Sequence, residues 1–125
     1  MNERLEGTKL TGFEPKPAVT ELEIIDLTAG TGDEVQPGAT ITAHYTGALV
    51  ADGTIFQSSK DSGRPATFGL NQVIAGWTKG VPGMKVGGTR RLIIPAVSAY
   101  GSSSPAANIP ANSDLVFDIE LVAIT

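Results

Sequence analysis

Apolar and polar residues alternate along much of this chain, with the period of two that β-strands impose. Thr40–Leu49 alternates strongly: Ile41, Ala43 and Tyr45 share one face, and Thr42, His44 and Thr46 the other. Tyr45 is therefore expected to point inward and His44 outward. Asp114–Ile124 is the clearest strand, with Leu115, Phe117, Ile119, Leu121 and Ala123 on one side and Val116, Asp118, Glu120 and Val122 on the other. Leu22–Leu27, Ile55–Gln57, Thr67–Leu70 and Thr89–Ile94 read as further strands. Turn signals separate them: Gly30-Thr31-Gly32-Asp33, Pro37-Gly38, the hairpin signal Asp52-Gly53, and Gly87-Gly88. Ser58–Pro65 is polar and reads as a loop or bulged crossing.

One stretch breaks the pattern. Val73, Ile74 and Trp77 fall on one helical face, which Val81 continues, and this predicts a short helix from about Ile74 to Val81. Asn71 is a plausible cap, and Pro82-Gly83 ends the helix. Gly76 and Gly80 weaken it, so packing against a sheet must hold it. The expected class is α+β: five or six antiparallel strands, half-polar as for a sheet with one wet face, wrapped around one short α-helix. Residues 1–18 are expected to form a tail or an accessory strand around Thr8–Phe13, and residues 19–125 the domain. Ala96–Asn112 is a long loop without period, and such loops are often functional.

Composition narrows the chemistry. A hydrophobic content of 41% in 125 residues suits one globular domain. The net charge of −4, with no basic run longer than Arg90-Arg91, offers nucleic acid or an anionic membrane no footprint. No apolar run reaches membrane-span length, the first residues are polar, and a cytoplasmic protein is the expectation. Nothing demands more than a monomer. Without cysteine and with one histidine, thiolate chemistry is excluded and a zinc site is poorly supplied. No Gly-x-Ser-x-Gly elbow and no phosphate-cradling glycine motif occurs, so Ser102, Ser103 and Ser104 read as solvated loop residues. Asp118 and Glu120 face the same way on their strand; that pair could do acid–base work, but a solvated surface is the simpler reading. What remains is aromatic. Tyr45, Phe56, Trp77, Tyr100 and Phe117 can face one interior, and the two hydroxyls suit a ligand pocket better than pure core.

Motifs in order along the chain carry a resemblance. They are Ala43-His44-Tyr45-Thr46-Gly47, Asp52-Gly53-x-x-Phe56, Val73-Ile74-x-Gly76-Trp77, and Gly80-Val81-x-x-Met84-x-Val86-Gly87. Then follow Arg91-Leu92-Ile93-Ile94-Pro95, Ala99-Tyr100-Gly101, Ile109-Pro110 and the run Leu115–Leu121. From about residue 20 onward the chain resembles the FKBP-type peptidyl-prolyl cis-trans isomerases, a family that also binds the macrolides tacrolimus and rapamycin. The resemblance implies a bent antiparallel sheet around the helix and a pocket floored by Trp77. Its walls would be Tyr45, Phe56, Val73, Ile74, Tyr100, Ile109 and Phe117. Tyr100 would donate to a bound carbonyl, and Gln57 would partner Tyr45 or the substrate backbone. Four positions depart from the family pattern. Gln57 stands where aspartate is common, Ala66 where a bulky aromatic often forms a wall, and Pro105 and Asn108 alter the long loop. The resemblance thus implies an isomerase for proline-containing peptides or protein clients, with no cofactor and with reduced macrolide affinity. The alternative is a proline-peptide binding module or chaperone with weak catalysis. The connection from Pro95 to Ser113 is too short for the inserted flap of the family's chaperones, so modest foldase activity is expected.

Overall fold

Two ten-residue strands form the spine of the sheet. A computed structural model describes residues 7–10, 13, 15, 19–61, 63–102 and 109–124. The elements are β1 (Glu23–Thr28), β2 (Thr40–Leu49), β3 (Ile55–Ser58), β4 (Ala66–Gly69), α1 (Ala75–Gly80), β5 (Thr89–Ile94) and β6 (Leu115–Ile124). All pairings are antiparallel, in the order β1-β5-β6-β2-β3. β2 pairs with β6 along most of its length, from Ile41 to Leu49. Its other edge is shared: β4 takes Thr40–Ala43 and β3 takes Thr46–Ala48. No helix among the described residues is long and apolar enough to cross a membrane.

The inward face follows the alternation except at Ala123, which is exposed where the β2–β6 register shifts between Thr42 and Ala43. Ile41, Ala43, Leu92, Ile94, Leu115, Phe117, Ile119 and Leu121 are buried together with Trp77 and Val81 of the helical stretch. The helix is six residues long, shorter than expected at both ends. Its glycines have a packing role. A Cβ on Gly76 would stand 2.6 Å from Ile94 side-chain carbons, and one on Gly80 would stand 2.7 Å from Leu92. Glycine lets the helix lie directly on β5, and that contact offsets roughly 1 kcal/mol of helix propensity lost at each site. Asn71 is not the cap: Ile74 occupies that position, without a side-chain bond. Thr78 fastens the helix instead, its Oγ1 donating to the Leu70 carbonyl at 2.6 Å.

The outer face is drier than a half-polar strand pattern implies. Val19, Ala48, Val50, Ile55, Ile93 and Val116 form a second buried cluster, covered in part by Leu10 and Phe13. Lys9 bridges Thr54, flanked by Gly7 N–H to Ile55 O (2.7 Å) and Leu10 N–H to Gly53 O (2.8 Å). Residues 7–10 thus add an isolated antiparallel bridge beside the start of β3. Asp118 is not a solvated carboxylate either. It accepts two bonds from Arg91, Nε at 2.7 Å and NH2 at 2.8 Å, while Phe13 lies 5.8 Å from the guanidinium. These bonds hold Arg91 firmly protonated. Glu120 does face solvent, near Lys60 at 3.9 Å. The cross-strand pair of Arg91 and Asp118 locks the β5–β6 register beneath the N-terminal cover.

Candidate functional site

Between α1 and the inward face, the core does not close. A cavity of about 470 Å³ opens there. Trp77 lines it and is only 3% exposed. Three rings meet the indole edge to face: Phe68 at 4.9 Å, Phe117 at 5.3 Å and Tyr45 at 5.8 Å between centroids. Phe56 stands against Phe117 at 5.7 Å and 87°. Such T-shaped contacts match ring edges to ring faces and make the wall rigid. The indole Nε1 has no hydrogen-bond partner among the described residues. Val73 and Ile74 close the helix side, and Gln57, Gln72 and Tyr100 supply polar groups. Tyr100, 37% exposed, is the most open aromatic of the wall.

The model of the family described as FKBP-type peptidyl-prolyl cis-trans isomerase matches residues 32–122. The chain belongs to that family. It is 53% identical over 95 residues to the FKBP-type peptidyl-prolyl cis-trans isomerase FkpA of Aeromonas hydrophila, covering 76% of this chain and 35% of that longer protein. It is 43% identical over 107 residues to a probable FK506-binding protein of Corynebacterium glutamicum, covering 86% of this chain and 90% of the relative. A crystal structure of a peptidyl-prolyl cis-trans isomerase from Pseudomonas syringae superposes with a TM-score of 0.75 at 37% identity, over 88% of this chain and 83% of the other.

In this FKBP-type domain, eight of the residues singled out from sequence meet at the cavity: Tyr45, Phe56, Gln57, Val73, Ile74, Trp77, Tyr100 and Phe117. Two others do not line it. Ile109 is buried in the main core. Ala66 pairs with Ala43 on the β2–β4 ladder and does not line the cavity. Asn108 lies outside the described residues, as does Pro105. Two lining residues escape a reading from sequence. Phe68 had a signal: two positions from Ala66 and from Leu70 on a strand, it shares their face. Gln72 had none, being a polar residue in the β4–α1 connection.

Electrostatics at the wall are mild. Burial raises the Tyr45 phenol above its ordinary value of 10.0, and the nearby Tyr100 adds to the shift. The folded chain therefore holds this proton more tightly than the unfolded one. The resulting stability is present below pH about 10 and is lost as the pH rises past it. In a Tyr100→Phe background, the phenolate absorbance of Tyr45 is expected to appear at higher pH than in free tyrosine. Ionisation with the free amino acid would mean that the Tyr45 ring is not shielded.

Proposed function

We propose that the cavity over Trp77 is where a prolyl ring docks and its preceding peptide bond turns. The observation that carries this reading is an open, aromatic-walled hollow with polar groups at only a few points, of ordinary small-ligand size. An X–Pro bond isomerises in tens to hundreds of seconds unaided, because rotation disrupts amide resonance. No covalent bond is exchanged, so no nucleophile is needed. The planar amide is more polar than the twisted one. Transfer from water into an apolar hollow therefore costs the ground state more than the transition state, and that difference accelerates rotation. A rigid wall shaped to the twisted amide adds to it.

Roles follow from position. Trp77, Phe56, Phe117, Val73 and Ile74 hold the prolyl ring. Phe68 completes the wall between Tyr45 and Trp77. Tyr45 and Tyr100 place the flanking carbonyls, and Gln57, exposed beside them, takes the substrate backbone. Residues 19–125 constitute the isomerase domain in this reading, a cytoplasmic monomer acting on proline-containing clients. Tacrolimus and rapamycin bind the same hollow. Their affinity is lower than in relatives with aspartate and a bulky aromatic at positions 57 and 66, because a large ligand uses more of the rim.

A protease-coupled assay on a short Phe-Pro peptide tests the proposal. A rate above background that rapamycin suppresses, with a matching change in Trp77 fluorescence, is the expected result. Peptide binding without rate enhancement would make the domain a recognition module instead. No fluorescence response to peptide or macrolide would remove the hollow from function altogether.

A further inference from the structure

The edge of β2 that β3 and β4 share has a gap. β3 pairs with Thr46–Ala48 and β4 with Thr40–Ala43, so Tyr45 lies between the two ladders. At the end of β3 the chain turns away through the 3-10 turn Ser59–Asp61. One side chain fills the gap. Ser59, buried, accepts the Tyr45 N–H on its Oγ at 2.8 Å and donates toward the Tyr45 carbonyl at 3.3 Å. A strand residue directs its N–H and C=O to the same edge, so one hydroxyl can serve both in place of a ladder partner. On the same oxygen, at 2.9 Å, stands Nδ1 of His44, the only histidine in the chain. With a proton on Nδ1, the Ser59 oxygen accepts from His44 and from Tyr45 N–H, and its own proton goes to the Tyr45 carbonyl.

We infer that Ser59 is a positioning residue of the isomerase: it pins the backbone of Tyr45, and His44 aims the Ser59 hydroxyl. The Phe68, Trp77 and Phe117 rings hold the Tyr45 ring in the wall, so a backbone shift at Tyr45 is felt chiefly at its hydroxyl. The inference rests on the proposed role of Tyr45 and assigns work to two residues that line no part of the cavity.

A double-mutant cycle decides it, with kcat/KM for a Phe-Pro peptide as the readout and Trp77 fluorescence confirming the fold. Ser59→Ala is expected to lower kcat/KM about tenfold when Tyr45 is present and less than about twofold in a Tyr45→Phe background. Equal losses in both backgrounds, or no loss in either, overturn the positioning role. Tyr45→Phe without effect, beside a damaging Ser59→Ala, defeats the role proposed for Tyr45 and this inference with it. Should Ser59→Ala not fold, the His44 pair gives the same test. His44→Asn keeps an amide near the Nδ1 position and is expected to retain activity. His44→Leu is expected to lose activity several-fold, and only where Tyr45 is present. Equal behaviour of the two His44 variants would also overturn the proposal.

Discussion

Gly47→Ala is expected to lower kcat/KM at least about tenfold and to destabilise the fold by about 1–3 kcal/mol, the usual range for overpacking. Gly47 is buried on β2, opposite Phe117 of β6 and Gln57 of β3. An added Cβ would stand 2.6 Å from Cζ of Phe56 and 2.7 Å from Cε1 of Phe117. Both rings are buried and meet edge to face. Behind them the interior is packed, and the open volume lies in the cavity. The rings therefore move into the cavity, toward the space proposed for the prolyl ring. Urea denaturation and the coupled assay measure the two effects on one sample. Wild-type values for both would mean that Phe56 and Phe117 do not form the wall described.

Trp77→Ala is expected to do more harm. Removing a buried indole costs about 3–5 kcal/mol, a large share of the roughly 5–15 kcal/mol that holds a domain together. Thermal unfolding should move down by roughly 10–25 °C. Three aromatic contacts vanish with the indole, so Tyr45, Phe68 and Phe117 lose a shared support. The floor becomes a void open to water, and catalysis should fall by at least about a hundredfold. Trp77→Leu keeps an apolar floor and is expected to lie between the two on both measures. A Trp77→Ala protein that stayed as stable as wild type and kept most of its rate would exclude the indole as both keystone and floor.

The strands were legible because their cause is local. Thr40–Leu49 and Thr89–Ile94 coincide with β2 and β5. Leu22–Leu27 and Thr67–Leu70 are each one residue out of step with β1 and β4, where the ladder rather than the side-chain pattern decides the end. The helix was visible from Val73, Ile74, Trp77 and Val81. Its cap was misplaced, since Asn71 has the right chemistry but the chain enters the helix only after Ile74. Most of the aromatic wall was legible too: Tyr45, Trp77 and Phe117 sit on the apolar side of their elements, and Tyr100 stood out as an aromatic in the long loop. Phe68 could have been found by the same rule.

Other features depend on partners far away in the chain. Ile93 and Val116 read from their own strands as positions on a wet face, but Ala48, Val50 and Ile55 together with Leu10, Phe13 and Val19 make that face a second core. Asp118 pairs with Arg91, twenty-seven positions distant, and no local pattern distinguishes it from its solvated neighbour Glu120. His44 and Ser59 looked like ordinary strand-rim and loop residues until the break between β3 and β4 placed them behind Tyr45.

Taken alone, the chain of residues determined the α+β class, the inward faces, the single helix and the family to which the domain belongs, because periodicity and motif order act over a few neighbours at a time. Only the tertiary structure decided that the core stays open above Trp77, that Phe68 rather than Ala66 walls it, and that a serine hydroxyl replaces a missing ladder partner at Tyr45. Those outcomes depend on where separate elements stop touching one another, which no single stretch of sequence records.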